Sequence, residues 1–551
     1  MDPTLANPSA GGLLGAYTFY GSGASRNGQP RIGEIDYHGF QPRIGFAYSP
    51  GGSQKTAIRG GFAITRPLGN DNLQSGFTGG YNFGFAGIAS AVRPGDVLGS
   101  PAYYWDNPYP ANGVSGANLD PGLLTGNDNP VWIGPKVGLP PTQMYWSTQV
   151  QRQLTNSMVF NVGYVGMHTY HLGTWSKPNQ INPAFAEQRF GAAAAAAGLP
   201  LNQFLALPIT DPQAVAAGVT PPWPGFVAVM GNAATVGQSI RPFPQYGSVD
   251  HPENPIGSVS YNGLQASLQK RYSQGLTFLL AYTFSKAIGG VDSNESFNAG
   301  AENAIFAGSF FQDYYNPRAQ RSVTSSDIPH VLSLTYTYEL PFGPGKRFLN
   351  HGAAGKVLGG WSVSGIQKYQ SGRPIHIEYD AFGASNPYNA QDGFSFRPNL
   401  VPGQPLKNPA YRSNCSGPIQ SPVGRNACQF YINPAAFVAP PPGEFGDAPN
   451  LFSSLRMPWY FNEDLSVSKR FFITERMDLQ FQANFFNAFN RVVWSSSGSA
   501  GSQGNAQTFI FNAAPPSLDP TILQNSSTIF GIFTSQQNNP RIIQFGLKLE
   551  F

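Results

Sequence analysis

The sequence predicts an all-β fold, an antiparallel transmembrane β-barrel with about 12 strands in this chain. Three observations predict it. Long segments alternate apolar and polar residues with a period of two, short and long connections alternate between these segments, and only 11% of the 551 residues are charged. Soluble domains carry about 25% charged residues. Disordered chains are far less apolar than a chain with 41% hydrophobic residues.

The alternation is clearest between residues 276 and 285, where the residues between the apolar positions are mostly Thr, Ala and Ser. The apolar face of this segment consists of Leu276, Phe278, Leu280, Tyr282 and Phe284. Residues 332–340 and 477–485 repeat the pattern. Strands of globular proteins average five or six residues, whereas a tilted strand needs about 9 to 11 residues to cross a bilayer. We therefore expect spanning strands with their apolar residues outward and their polar residues inward.

Twelve strands are predicted in this way. They lie at about residues 13–20, 40–49, 55–66, 143–153, 157–168, 258–272, 275–287, 330–340, 356–379, 460–471, 475–487 and 541–551. The connections between them alternate between short and long, and the long ones run to dozens of residues. Outer-membrane barrels have short periplasmic turns and long extracellular loops. This alternation puts the C-terminus of the last strand on the periplasmic side.

No segment predicts a membrane-spanning helix or a targeting signal. A spanning helix needs about 18 or more consecutive apolar residues. The nearest candidate, residues 192–207, is broken by Gly198 and Pro200 and is predicted to form a helix in a loop. The first residues lack the basic region and the apolar core of a signal peptide. We therefore expect that an N-terminal part is missing from the chain.

The two cysteines, Cys415 and Cys428, lie in one segment rich in Pro, Gly and Asn. A pair confined to one loop fits a local disulfide in an oxidising compartment, and two free thiols are the alternative. Neither a Cys-x-x-Cys motif nor a nearby His pair accompanies them. The sequence predicts a disulfide and no metal site here.

The sharpest motif is the last segment, residues 544–551. Gln544 and Gly546 fall on its polar face, while Leu549 and the C-terminal Phe551 fall on its apolar face. This spacing resembles the recognition signal that the barrel assembly machinery reads in outer-membrane proteins. The alternative is an ordinary amphipathic edge strand that ends the chain.

The sequence holds no motif of an enzyme. It lacks a Gly-x-Ser-x-Gly elbow, and its Gly-Lys pairs lack the rest of a phosphate-binding loop. His168 and His171 would point to opposite faces of a strand, which disfavours a shared metal ion. A net charge of only +4 without a basic run disfavours a nucleic-acid partner. We expect no catalytic residue, no metal and no cofactor.

Three residues ahead of a predicted strand, Asp313, Asp327 and His330, could contact a substrate from a loop. Hydrogen bonds that order the loop are the alternative role for them.

Several segments together resemble the barrel of Oar-like TonB-dependent receptors. They are Val150–Leu154, Gln312–Ser322, Ser326–His330, Tyr338–Phe348, Gly359–Pro374 and Phe485–Arg491. The resemblance covers nearly the whole chain from about residue 40 onward. It implies an energised receptor or transporter in the outer membrane of a Gram-negative bacterium, with a plugged barrel of about 22 strands.

The chain departs from that family pattern, because about 12 strands are predicted and no plug, N-terminal sandwich domain or TonB-contacting segment is found. Residues 1–551 are therefore expected to form a partial barrel region, the C-terminal part of such a receptor. The expected function is to bind or import a large solute through long extracellular loops. The expected partners are outer-membrane lipid, the barrel assembly machinery and, only through the missing N-terminal part, the TonB complex. A passive pore or structural barrel is one alternative, and a secreted all-β adhesin is another.

Overall fold

The computed structural model describes most of the chain. The described residues are 1–24, 26–30, 37, 39–52, 55–67, 119–123, 125–126, 129–136, 139–290, 312–380, 388, 396–415, 426–441, 444–474, 477–495, 507–512, 530–533 and 535–551.

Strands dominate this part of the chain. In chain order they are β1 (Asp2–Ala6), β2 (Leu14–Ala16), β3 (Arg43–Tyr48), β4 (Thr56–Thr65), β5 (Thr142–Thr155), β6 (Met158–Ser176), β7 (His251–Ser273), β8 (Leu276–Gly289), β9 (Ser322–Val323), β10 (His330–Glu339), β11 (Trp361–Gln370), β12 (Ile375–Asp380), β13 (Asn399–Leu400), β14 (Phe437–Val438), β15 (Tyr460–Phe472), β16 (Asp478–Phe486), β17 (Trp494–Ser495), β18 (Gln507–Asn512), β19 (Ser535–Gln536) and β20 (Ile542–Glu550). The helices are α1 (Pro183–Ala196), α2 (Leu201–Ala206), α3 (Pro212–Ala216), α4 (Phe226–Met230), α5 (Val236–Ser239) and α6 (Gly352–Leu358). Among the residues that the structure covers, no helix is long and apolar enough to span a membrane.

One large antiparallel sheet contains the long strands, in the order β20, β16, β15, β11, β10, β8, β7, β6, β5, β4, β3, with the short β9 beside β8. Each strand pairs with its neighbour in the chain, because nearly every residue can donate and accept backbone hydrogen bonds across a meander. The predicted all-β, antiparallel fold is confirmed.

The short connections all lie at one end of the sheet, called here the turn end, and the long ones lie at the other, the loop end. Between β7 and β8 the turn consists of Gln274 and Gly275, both with positive φ. A Cβ on Gly275 would lie 2.9 Å from the carbonyl oxygen of Glu339, so this turn requires glycine. Glu550 pairs with Asp478, the first residue of β16, which puts the end of β20 at the turn end, as predicted from the alternation.

The predicted strand at residues 13–20 is wrong. Only Leu14–Ala16 is extended, and it pairs with β1 outside the large sheet. Tyr17 and Phe19 are buried beside Tyr246 and Val249 at the loop end. Burial of these aromatic side chains among loop residues outweighs the alternation that predicted a spanning strand.

The predicted strand at residues 356–379 is also wrong in its extent. Its first residues belong to α6, β11 ends at Gln370, and β12 pairs in parallel with β18 in a separate sheet. Pro374 cannot donate a backbone hydrogen bond. A Cβ on Gly372 would lie 1.7 Å from the carbonyl oxygen of Met457, so the chain turns here against another loop instead of continuing the strand.

The long connections fold into clusters with their own apolar cores. The helical cluster is built from α1–α5 and includes Ile181, Phe190, Phe204, Leu205, Phe226 and Val236. The mixed cluster includes Ile375, Ile377, Tyr431, Ile432, Phe437, Phe452, Leu455 and Phe530. Phe445 packs against both clusters. α1 and α2 confirm the loop helix predicted in residues 192–207.

Candidate functional site

One face of the large sheet is apolar from edge to edge and is called here the apolar face. Cross-strand register places its residues opposite one another, for example Phe278 opposite Tyr336 and Phe481 opposite Leu547. The face includes Ile44, Phe46, Ile58, Phe62, Trp146, Val150, Val162, Tyr164, Leu264, Leu268, Leu276, Phe278, Leu280, Tyr282, Phe284, Leu334, Tyr336, Val363, Tyr369, Leu465, Val467, Phe481, Phe485, Phe545 and Leu549. The five residues predicted on the outward face of β8 all lie on it. None of them belongs to a buried cluster, and Phe284 is 49% exposed.

Two charged residues of β15 interrupt the apolar face, and each has partners. Lys469 Nζ donates to the carbonyl oxygens of Val357 and Gly359, both at 2.6 Å, at the C-terminal end of α6. The Glu463 carboxylate, 3% exposed, accepts from Arg491 Nη2 at 3.4 Å. A charge facing lipid is costly unless it is partnered. Sequence reasoning missed both residues, although they occupy the apolar positions of the alternation in β15.

The opposite face is polar and mostly uncharged. Hydroxyl pairs join neighbouring strands, with Ser362 and Ser468 at 2.6 Å and Thr337 and Ser364 at 3.1 Å. Gln482 Nε2 donates to Ser466 Oγ at 3.2 Å. Apolar-out, polar-in alternation is typical of transmembrane barrels whose interior is wet. This polar face could therefore line an aqueous path.

The four residues of the predicted assembly signal lie on β20 and directly after it. Gln544 and Gly546 pair with Asn484 and Gln482 on the polar face, and Leu549 pairs with Leu479 on the apolar face. Phe551 follows the strand and is 95% exposed. The structure brings the first three into one strand edge and leaves the terminal aromatic free of packing. Recognition by the assembly machinery stays a prediction.

Three long connections meet at the loop end in what is called here the loop junction, built from Gln180, Gln312 and Arg397. Gln180 Nε2 donates to the carbonyl oxygen of Gln312 at 3.3 Å. The Gln312 side chain donates to the carbonyl oxygen of Gly446 at 2.9 Å and accepts from the Arg397 backbone N–H at 2.8 Å. Gln180 Oε1 accepts from the Tyr314 N–H at 2.5 Å. The junction joins the connections β6–β7, β8–β10 and β11–β15.

The loop junction is buried, and burial shifts the titration of the groups around it. Gln180, Gln312 and Arg397 are each less than 5% exposed. Burial lowers the pKa of Arg397 to about 10, and the nearby Asp447 carboxylate opposes that shift. Burial also lowers the pKa of His376 to about 4, and its Nδ1 lies 2.5 Å from the carbonyl oxygen of Asn450. His376 is therefore neutral at neutral pH. Sequence reasoning missed the junction, since glutamines in loops give no chemical signal of their own.

The residues predicted as possible substrate contacts order the loops instead. Asp327 is 1% exposed; its carboxylate accepts from the Ala287 N–H at 2.6 Å and pairs with the Arg456 guanidinium. Arg456 Nη1 also donates to the carbonyl oxygen of Asp327 at 2.8 Å. Asp313 accepts from the Tyr315 N–H at 2.9 Å, and burial raises the pKa of its carboxyl.

His330, the third of these residues, sits at the start of β10. Its Nδ1 lies 2.9 Å from the Tyr282 hydroxyl, and its ring lies 5.1 Å from that of Phe284 and 5.9 Å from that of Trp459. The structure therefore does not bring Asp313, Asp327 and His330 into one site. Arg456, the partner of Asp327, was not predicted.

The predicted disulfide is confirmed. Cys415 and Cys428 are bonded, with their Cα atoms 5.9 Å apart. The Arg412 N–H donates to the carbonyl oxygen of Cys428 at 2.9 Å, so the bridge fixes a short surface segment beside the mixed cluster. His168 Nδ1 lies 2.8 Å from Ser260 Oγ, and the described residues contain no group of His, Cys, Asp and Glu side chains that could hold a metal ion.

Residues 1–544 match the model of the protein family described as the outer membrane beta barrel domain. Among solved structures, the chain is similar to the outer membrane transporter YddB from Escherichia coli, at 10% identity and a TM-score of 0.32, covering 83% of this chain and 38% of that chain. It is also similar to the pyoverdine outer membrane receptor FpvA from Pseudomonas aeruginosa, at 8% identity and a TM-score of 0.33, covering 93% and 36%. For the ferric-catecholate import receptor Fiu from Escherichia coli the values are 9%, 0.31, 92% and 34%. The chain spans about a third of the length of these proteins. No curated protein sequence matches it.

Proposed function

The chain belongs to the family of outer membrane β-barrel domains, which places it in the outer membrane of a Gram-negative bacterium, and we propose that it binds or imports a large solute in the manner of a TonB-dependent receptor. In this proposal the long connections at the loop end hold the solute, and the polar face lines its path. The chain catalyses no reaction. Its resemblance to Oar-like receptors, stated above on segments such as Gln312–Ser322, supports the proposal.

The loop junction is the observation that carries this proposal. Gln312 uses its backbone carbonyl, its side-chain amide and its side-chain carbonyl to join segments from three separate connections. Loops with apolar cores and shared buried hydrogen bonds form a fixed surface, and binding residues are disproportionately placed on such loops over a rigid scaffold. A pore that only admits small solutes has no need of a folded surface above its mouth.

The proposal assigns a partner to each surface of the sheet. Outer-membrane lipid contacts the apolar face, and the barrel assembly machinery reads Gln544, Gly546, Leu549 and Phe551 during insertion. The TonB complex acts through a plug and a coupling segment, neither of which is among the elements described above. Residues 1–551 act as a partial barrel region of the receptor.

A passive pore or structural barrel is the second candidate, and the polar face favours it equally. Hydroxyl and amide side chains across β10, β11, β15 and β16 would line any aqueous pore. The two candidates differ at the loop end, because only the receptor depends on the loop junction.

Native mass spectrometry of the protein extracted from outer membranes of its own bacterium tests the proposal. We expect a co-purifying solute on the unaltered protein and a loss of at least tenfold in its occupancy with Gln312→Ala. The control is Gln482→Ala, which removes one amide from the polar face and leaves the loop junction intact. An empty protein, together with influx of a small hydrophilic dye that rises with expression and is unchanged by Gln312→Ala, would establish the passive pore instead.

A further inference from the structure

The large sheet has two unpaired edges among the described residues, β3 on one side and β20 on the other. Both edge strands are exposed on both of their faces, in contrast to the strands between them. Phe46 is 59% exposed on β3, and Phe545 and Leu547 on β20 are 68% and 69% exposed. The apolar face reaches both edges. Each edge therefore offers a row of backbone donors and acceptors beside side chains suited to lipid.

The direction of the strands decides what can cover these edges. The sheet has eleven long strands, and each runs opposite to its neighbours. With an odd number of alternating strands, the first and the last point the same way. Both β3 and β20 run from the loop end to the turn end. Closing the sheet on itself would pair β3 with β20 in parallel.

This count holds whatever the course of the residues outside the described part. Each connection that contains such residues between β3 and β20 leaves and re-enters the sheet at the loop end, so any crossings within it come in pairs. The segment before β3 obeys the same rule, because Tyr17 and Phe19 already pack at the loop end. The number of crossings after that point is therefore odd.

An unpaired edge cannot persist at the depth of the hydrocarbon, where no water satisfies backbone groups. A parallel seam is the less stable way to pair two strands, and single-chain bacterial barrels have even numbers of antiparallel strands. A second copy in the same membrane orientation offers the same two downward strands. It meets each edge only in parallel.

We propose that β3 and β20 together form a docking surface for an odd number of partner β-strands, the outermost of which run from the turn end to the loop end. The partner is amphipathic β-structure from a polypeptide segment other than residues 43–550. Its apolar residues lie on the side of Phe46 and Phe545, and its polar residues lie on the side of Gly45 and Gly546. The inference stands on strand direction and holds for a receptor and for a passive pore alike.

Cysteine cross-linking of the full chain in outer-membrane vesicles tests whether the edges meet. The two native cysteines are bonded to each other, so introduced cysteines are the free thiols. Gly45→Cys and Gly546→Cys have room, since a Cβ would lie 3.6 Å from the nearest atom at Gly45 and would meet none within 4 Å at Gly546. We expect no disulfide between them, nor with Ala47→Cys or Gln544→Cys at other depths. The control pair Gln482→Cys and Gly546→Cys, which are cross-strand partners, should join.

A single-strand peptide tests the direction of docking. The probe has the sequence of residues 478–486, the strand that already runs upward beside β20, with a cysteine at one end. We expect a peptide with Asp478→Cys to attach to Lys548→Cys, and one with Phe486→Cys to attach to Gln544→Cys, at least tenfold more than the reversed combinations. A disulfide between the β3 and β20 cysteines, within one chain or between two, overturns the proposal. So does failure of both peptides to attach while the control pair forms.

Discussion

The guanidinium of Arg470 on β15 reaches two strands across the sheet to Glu550 on β20, donating from Nη2 to Oε2 at 2.7 Å. Its Nε donates to Oδ1 of Asp478, on the intervening β16, at 2.9 Å. One side chain thus ties an edge strand to its second neighbour at the turn end. Arg470 is about half exposed, so solvent and salt weaken both contacts.

Replacing Arg470 with alanine should loosen the end of β20 without unfolding the sheet. We expect hydrogen exchange of the amides at residues 548–550 to rise by less than about tenfold, since exposed ion pairs contribute little. Lys548→Ala is the control, because Lys548 Nζ pairs with Glu550 on its own strand and ties no strands together. Equal exchange in the two variants, measured by mass spectrometry, would show that Arg470 does not tie the strands.

Asp327→Asn should free the connection that precedes β15. The carboxylate is buried and pairs with Arg456, whose guanidinium also holds the carbonyl oxygens of Asp327 and Gly372. Removing one partner of a buried pair leaves the other charge uncompensated and costs about 3 kcal/mol. Limited proteolysis should cleave residues 445–459 faster in this variant. Asp313→Asn, which removes a charge from the same connection without an ion pair, should leave the cleavage rate near that of the unaltered protein.

The strands could be predicted because lipid and water act on every residue of a spanning segment. Leu276, Phe278 and Leu280 announce an outward face by alternation alone. Loops obey no such period: Tyr17 alternates like a strand residue and yet packs beside Tyr246. The partner of a buried loop charge is set by tertiary contact across more than a hundred residues, as with Asp327 and Arg456. For the same reason the loop junction could not be found from Gln312 in the sequence.

Acid should destabilise the mixed cluster through His376. Burial lowers the pKa of this imidazole to about 4 from 6.5, so the unfolded state binds the proton more tightly. Stability is therefore fully present above pH 6.5 and falls as the pH drops from 6.5 toward 4, by about 3 kcal/mol at the lower limit.

Hydrogen exchange of β12 between pH 4.5 and 7.5, corrected for intrinsic rates, measures this loss. His376→Asn keeps a donor toward the carbonyl oxygen of Asn450 and removes the titration, so its protection should vary less with pH than that of the unaltered protein. Protection of β12 that is the same at both ends of this range in the unaltered protein would contradict the prediction.

Reducing the Cys415–Cys428 bond should loosen one segment and leave the sheet unchanged. The bond closes a loop with a sequence separation of 13, and a loop of this size is stabilised by about 3 kcal/mol in the chain-entropy model. We expect Cys415→Ser with Cys428→Ser to speed proteolysis between residues 405 and 430 by at least tenfold. Cleavage within β15 and β16 should not change. Faster cleavage of those strands would mean that the bridge supports the sheet as well.

Deleting Phe551 should block assembly into the outer membrane while synthesis continues. The side chain is 95% exposed and contributes little packing to the folded chain, so its loss should not destabilise the assembled sheet. Its place directly after the apolar positions Leu547 and Leu549 makes it available to a factor that binds the last strand before insertion. We expect the heat-modifiable folded form in outer-membrane fractions to fall at least tenfold on deletion or with Phe551→Asp. Phe551→Trp, which keeps an aromatic ring, should restore most of it. A normal level of folded protein without Phe551, at equal total synthesis, would show that the terminal aromatic is not read.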